Sequence, residues 1–301
     1  MTLKTFFDTV YRPLRLRGRS PKTTALYYAT LSAFRKWLRA NQIADEPAIE
    51  HLDELLLARF LEDRASTHSA YTAEKERSQL MSLARLAWER RVPGMDRLPT
   101  CPPGVLPDRV PHAWSLAELQ TLFRAVSTAK GKVGPVPASA WFSALILTAY
   151  ETGERVGALL GAVPADYYRP TLSIQPEQRK GGRRGRVYTL SPSTCHRIEA
   201  VLAYGGDKIF PWPYTHTYLW NRLKKILNAA GLAGKRIAFH QVRRSAISHI
   251  AAAGGDPVAF AGHASAAMTK RWYLDPRMAE HGPKPHELLP RIDLPPDQPA
   301  A

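Results

Sequence analysis

Six prolines stand between positions 93 and 111 (Pro93, Pro99, Pro102, Pro103, Pro107 and Pro111). A proline lacks the backbone donor and blocks the preceding turn, so neither a helix nor a central strand can run through this stretch. Whatever forms before it must close its own core, and so must whatever forms after it. With 301 residues the chain is long enough for two such bodies. The reading is a helical body over 1–95, an extended linker over 96–112, a mixed body over 113–276 and a Pro-rich tail over 277–301.

The first body reads as helices. Ser20 stands at an N-cap position with Pro21 at the first helical place, and Tyr27, Leu31, Phe34 and Leu38 follow at helical spacing. Further helices are expected over 52–64 and 71–91. In the second body, Ser115 and Glu118 form a capping-box pattern. Residues 138–150 are almost wholly apolar and predict a central buried helix. Residues 171–175 and 186–190 have strand composition around a basic, glycine-bearing loop, and helices are expected over 216–231 and 240–255. The fold class is therefore mainly α with a small antiparallel sheet (α+β).

Charge narrows the function. Lys and Arg number 42 against 26 Asp and Glu, a net +16. A surplus of that size calls for a polyanion, with nucleic acid first and an acidic membrane surface second. The two cysteines, Cys101 and Cys195, have no metal-ligand spacing; they rule out a disulfide scaffold and fit a reducing cytoplasm. The N-terminus, with Asp8 and Arg12 inside its apolar stretch, does not read as a signal peptide, and no apolar run is long enough for a membrane span. Neither an HExxH zinc pattern nor a phosphate-binding GxxxxGK[ST] loop occurs.

Four stretches of the second body carry residues suited to phosphate chemistry. Arg155 follows the apolar helix across a glycine turn, so it is partly shielded and must meet an anion, a carbonyl or solvent. Residues 179–186 hold five cations, Arg179, Lys180, Arg183, Arg184 and Arg186, whose mutual repulsion a polyanion would relieve. His240 and Arg243 lie three apart and share a helix face, where both can donate to phosphate oxygens. Gly262-His263 is followed by Tyr273. That last stretch is also compatible with an ordinary helix bearing an aromatic stripe.

Taken in order, R…K…HxxR…GH…Y resembles the tyrosine recombinases, the phage integrase family, over most of the chain. The resemblance implies a helical core-binding domain followed by a catalytic domain of the DNA breaking-rejoining type. It implies a catalytic set of Arg155, Lys180, His240, Arg243, His263 and Tyr273, with Tyr273 as nucleophile. Lys22, Thr23, Arg35, Arg179, Arg183, Arg184, Arg186 and Arg244 are the expected DNA contacts. No metal or other cofactor is implied. The expected partners are double-stranded DNA carrying recombination sites, further copies of the chain in a tetramer on that DNA, and optional accessory DNA-bending proteins, with no membrane and a cytoplasmic location. The activity implied is site-specific recombination through a 3′-phosphotyrosyl intermediate. Two readings share these residues: a catalytically degenerate DNA-binding relative and a nicking-closing enzyme like the type IB topoisomerases. Two departures from the family pattern bear on them. Ala158 stands where a carboxylate is usual, and Tyr273 is the tenth residue after His263 where the ninth is usual.

Overall fold

The computed structural model describes residues 1–107, 110–179, 184–232, 238–263 and 265–279. The chain divides into two compact units, Met1–Asp108 and Arg109–Ala301, with the division inside the proline-rich stretch. Lys180, Arg183 and the tail from 280 lie outside the described residues.

The first unit is helical. A short entry of α1 (Leu3–Phe6), a π-helical turn (Phe7–Tyr11) and α2 (Arg12–Arg15) leads to α3 (Pro21–Ala40), α4 (Glu54–Thr67) and α5 (Ala70–Glu89). Helix α3 starts at Pro21 as its sequence predicts, but Ser20 makes no side-chain cap; its hydroxyl lies 3.1 Å from the Thr23 hydroxyl. The stripe Tyr27, Leu31, Phe34 and Leu38 is buried, and the entry segment adds Leu3, Phe6 and Phe7 to the same core. Phe7 stacks on Tyr27 with ring centres 5.3 Å apart. The start of the proline-rich stretch is not loose. Thr100 N–H donates to Glu54 (3.1 Å), Arg77 donates to the Cys101 carbonyl (2.7 Å) and Gly104 N–H donates to Glu74 (3.1 Å). Chain that cannot form its own ladder takes its hydrogen bonds from α4 and α5 side chains instead.

The second unit opens with α6 (Leu116–Ser127), whose capping box forms as expected: Ser115 Oγ accepts from Glu118 N–H at 3.2 Å and Glu118 accepts from Ser115 N–H at 2.9 Å. A two-stranded ribbon, β1 (Lys132–Val133) with β2 (Val136–Pro137), leads into α7 (Ala138–Thr152). Helix α7 is buried on most of its circumference, with Trp141, Phe142, Leu145 and Ile146 fully enclosed, and packs against neighbouring helices on several sides. Gly153, at φ +60°, ends it. After α8 (Val156–Leu159) comes an antiparallel sheet in the order β3 (Tyr167–Tyr168), β4 (Thr171–Ile174), β5 (Arg186–Thr189), with Leu172 opposite Tyr188 and Ile174 opposite Arg186. The remaining helices are α9 (Pro192–Leu202), α10 (His216–Ala229), α11 (Ala238–Ala252), α12 (Pro257–Ala261), α13 (Ala266–Trp272) and α14 (Pro276–Ala279). The sequence pattern does not announce α1, α2, α9, α12, α14 or the short strands β1, β2 and β3, most of them too brief to show a period, whereas α13 falls in the stretch compatible with a helix bearing an aromatic stripe. No helix among the described residues is long and apolar enough to cross a membrane.

Candidate active site

The site forms where three segments meet: the Gly153 turn after α7, the N-terminal half of α11, and the turn between α12 and α13 that holds Gly262 and His263. Arg243 is its centre. It is 1% exposed, and its guanidinium donates to the carbonyls of Gly153 and of Ala261, the latter at 2.8 Å. The same Nη2 donates to His263 Nε2 at 2.9 Å. An arginine has five N–H donors and no acceptor, so these bonds leave donors over. Arg243 Nε is buried without a hydrogen-bond partner.

The arginine also decides a tautomer. Because Arg243 can only donate, His263 Nε2 must be the bare nitrogen, and Nδ1–H donates to Thr269 Oγ1 at 2.8 Å. Burial, reinforced by the charges of Arg243 and Arg155, lowers the His263 pKa to about 4. His240 is lowered to about 4 for the same leading reason, burial, with Arg244, Arg243 and Arg155 adding to it. Both rings are therefore neutral at pH 7 in the free protein. Burial also lowers Arg243 itself, with Arg155 adding, while the Tyr273 oxygen and Glu154 oppose the shift.

Tyr273 closes the pocket. Its ring centre lies 4.4 Å from that of His263 and 5.3 Å from that of His240, and the Arg243 guanidinium carbon sits 5.4 Å from it. The residue is 7% exposed and packs with Ile247 and Ala261. The tyrosine follows the last turn of α13, where its N–H still bonds Thr269 O at 3.0 Å. Its own carbonyl accepts from the Ser248 hydroxyl at 3.0 Å, and Ser248 Oγ in turn accepts from Asp275 N–H at 3.0 Å. Asp275, 3% exposed, accepts from Ala113 N–H at 2.7 Å. The one-residue excess between His263 and Tyr273 is thus accommodated by α13 and its anchored exit, and the ring meets both histidines.

Arg155 holds the N-cap position of α8 without a side-chain cap and is half-buried; its charge adds to the lowering at His240, Arg243 and His263. Ala158 is buried and offers no carboxylate. The carboxylate that meets this turn is Glu154, 1% exposed, accepting from Arg155 N–H at 3.1 Å and from the Tyr188 hydroxyl at 2.6 Å. Sequence reading passed over Glu154, although a carboxylate flanking an arginine on a glycine turn was visible there.

The expected DNA-contact cations differ in their surroundings. Arg179 Nε lies 2.8 Å from Glu154 Oε1, as an ion pair off the hydrogen-bond axis. Arg186 donates to the Ala259 and Phe260 carbonyls at 2.7 and 2.8 Å, capping α12. Arg35 pairs with Glu46 at 2.5 Å in the first unit. Lys22 and Arg184 are exposed, Thr23 is half-buried, and Arg244 is half-buried with its Nε unpartnered. No group of His, Cys, Asp and Glu able to hold a metal occurs among the described residues.

No curated protein matches the chain by sequence. The fold is similar to that of a lambda integrase (75–356) dimer bound to a COC′ core site, with 21% identity, TM-score 0.69, 89% of this chain and 97% of that one covered. It is similar to a lambda integrase tetramer bound to a Holliday junction (19% identity, TM-score 0.70, 97% and 80% covered). It is also similar to the XerH site-specific recombinase bound to a palindromic difH substrate (17% identity, TM-score 0.69, 88% and 80% covered). At these identities the likeness is one of fold. The model of the phage integrase family matches residues 115–280, more than half of the chain. Arg243, His240, His263 and Tyr273 cluster within that matched region, and by the family model the chain belongs to the phage integrase family and is a site-specific DNA recombinase.

Proposed function

We propose that the protein cuts and rejoins double-stranded DNA at specific sites through a covalent bond between Tyr273 and a 3′ phosphate. The observation that carries this reading is Arg243: a fully buried guanidinium with an unpartnered Nε, set against the Tyr273 ring. A buried donor without a partner is costly, and a phosphate oxygen would satisfy it.

Arg155 and Arg243 bind the two non-bridging oxygens and stabilise the charge that builds as phosphorus becomes five-coordinate. Tyrosine ordinarily titrates near about 10 and is a weak nucleophile at pH 7. A neutral histidine is the group able to take its proton, and both His240 and His263 are neutral there. The phenolic oxygen bonds to phosphorus, the bond to the 5′ oxygen breaks, and Lys180 gives that oxygen a proton. The phosphotyrosyl bond keeps the energy of the one it replaced, so a 5′ hydroxyl can reverse the step with neither ATP nor a metal. Lys22, Thr23, Arg35, Arg179, Arg183, Arg184, Arg186 and Arg244 serve the DNA backbone. The tetramer and dimers on DNA described for similar structures support assembly of several copies on paired sites. Such a protein works where the DNA is, in the cytoplasm.

The test uses a nicked suicide duplex carrying the site that the protein selects from a randomised DNA pool. Wild type is expected to form a covalent adduct and Tyr273→Phe none; no adduct from wild type overturns the reading. Exchange between two labelled duplexes is expected as well, and relaxation of supercoils without exchange would indicate nicking and closing only.

A further inference from the structure

Glu154 is a buried carboxylate among guanidinium groups, and nothing in the reaction above uses it. Its surroundings link both sides of the pocket. Oε2 accepts from the N–H of Arg155, the arginine's own backbone, at 3.1 Å. Oε1 meets the Tyr188 hydroxyl of β5 at 2.6 Å and Arg179 Nε at 2.8 Å. The Arg179 side chain, 11% exposed, reaches across to the other side. A Cβ on Gly262 would stand 3.2 Å from Arg179 Nη2 and 2.6 Å from Arg186 Nη1. The turn that presents His263 therefore lies against two guanidinium groups, that of Arg186 nearest and that of Arg179, which Glu154 holds, next to it, and a side chain at position 262 would meet both.

Charge supports the same assignment. Arg155, Arg243, Arg244, Arg179 and Arg186 all border this region, and a phosphate brings limited negative charge to share among them. Glu154 neutralises Arg179 and favours the charged form of Arg243. Without it, Arg179 becomes an uncompensated buried cation that can satisfy itself on the incoming phosphate, in competition with Arg155 and Arg243.

The geometry assigns Glu154 as a positioning residue: it fixes the Arg155 turn and, through Arg179, the Gly262-His263 turn, and it leaves Arg155 and Arg243 as the cations free to take the phosphate. This rests on the Tyr273 reading above.

The experiment is single-turnover cleavage of the suicide duplex by saturating protein, read beside DNA affinity, melting temperature and final adduct yield. Glu154→Gln is expected to cleave about tenfold more slowly or worse, with affinity unchanged or tighter because a negative charge is gone. Arg179→Gln alone is expected to be slow as well, and the double variant faster than either single, since the orphaned charge is then absent. Tyr188→Phe, the variant that keeps the buried ring, is expected to slow cleavage about threefold by removing one hydrogen bond to the carboxylate. Wild-type rates in Glu154→Gln or Tyr188→Phe, or strictly additive losses in the pair, overturn the assignment. So does a lower adduct yield in which the surviving molecules react at the wild-type rate, the signature of folding loss alone. If Glu154→Gln does not fold, Arg179→Gln and Tyr188→Phe still decide. Absence of any adduct from wild type is a different outcome and counts against the Tyr273 reading, not specifically against Glu154.

Discussion

Thr269 shows how one hydroxyl sets the chemistry of a neighbour. It is 1% exposed and receives the Nδ1 proton of His263, so Nε2 is kept bare beside Arg243. Thr269→Val keeps the shape and removes the acceptor. Cleavage is expected to slow about tenfold, the equivalent of about 1.4 kcal/mol, and rapid-quench measurement of adduct formation checks it. The two histidines make a second prediction. Their ordinary value is 6.5 and both are lowered to about 4 in the folded protein. Between these values the unfolded chain binds protons that the folded one refuses, so stability rises with pH across that window. Stability is expected to be insensitive to these groups above about pH 6.5 and to fall on acidification until about pH 4. Urea unfolding across the range tests this, and His240→Gln is expected to flatten part of the slope. Gly153 is a third case. Its φ of +60° and the 2.6 Å that would separate an added Cβ from Phe260 make Gly153→Ala costly. The backbone strain alone is about 1–2 kcal/mol, and the clash with Phe260 adds to it, measurable as a lower denaturation midpoint.

The helices and strands explain which local signals could be read and which could not. Helix α7 was legible because an apolar run of that length has no exposed solution, and Leu145, fully enclosed there, is expected to cost about 2–5 kcal/mol on replacement by alanine. Thermal or urea unfolding of Leu145→Ala measures it. The capping box at Ser115 was legible because its partners lie three residues apart. Strand β5 was legible as a strand, yet its faces were not weighed. The alternation that buries Leu172 and Ile174 turns Tyr188 and Arg186 to the same side, where they meet Glu154 and α12, whereas Val187 is exposed. The exit from α13 depends on Ser248 and Asp275, 25 and 2 residues away from Tyr273, with Asp275 in turn held by Ala113 N–H. No periodicity within α13 announces that anchoring.

The molecule as a whole carries net +16, and that charge governs how it meets DNA. If six to ten phosphates are contacted, affinity is expected to fall about 10³- to 10⁵-fold between roughly 50 and 200 mM salt. Fluorescence anisotropy in a salt series measures the slope; a salt-independent affinity would rule out backbone contacts as the main source of binding. The sequence by itself determined the main helices, the buried helix α7, the pairing of two strands and the family to which the chain belongs. Those follow from caps, periodicity and residue types acting over a few positions. Only the tertiary structure decided how the charges are used. Arg179 and Arg186 look alike in the sequence to Arg184, but the first is drawn to a buried carboxylate, the second caps a helix and the third faces solvent. Which cation finds which oxygen depends on approach to within about 3 Å between segments 25 to 90 residues apart, such as Arg179 with Glu154 and Arg243 with Gly153. No rule of local spacing contains that information.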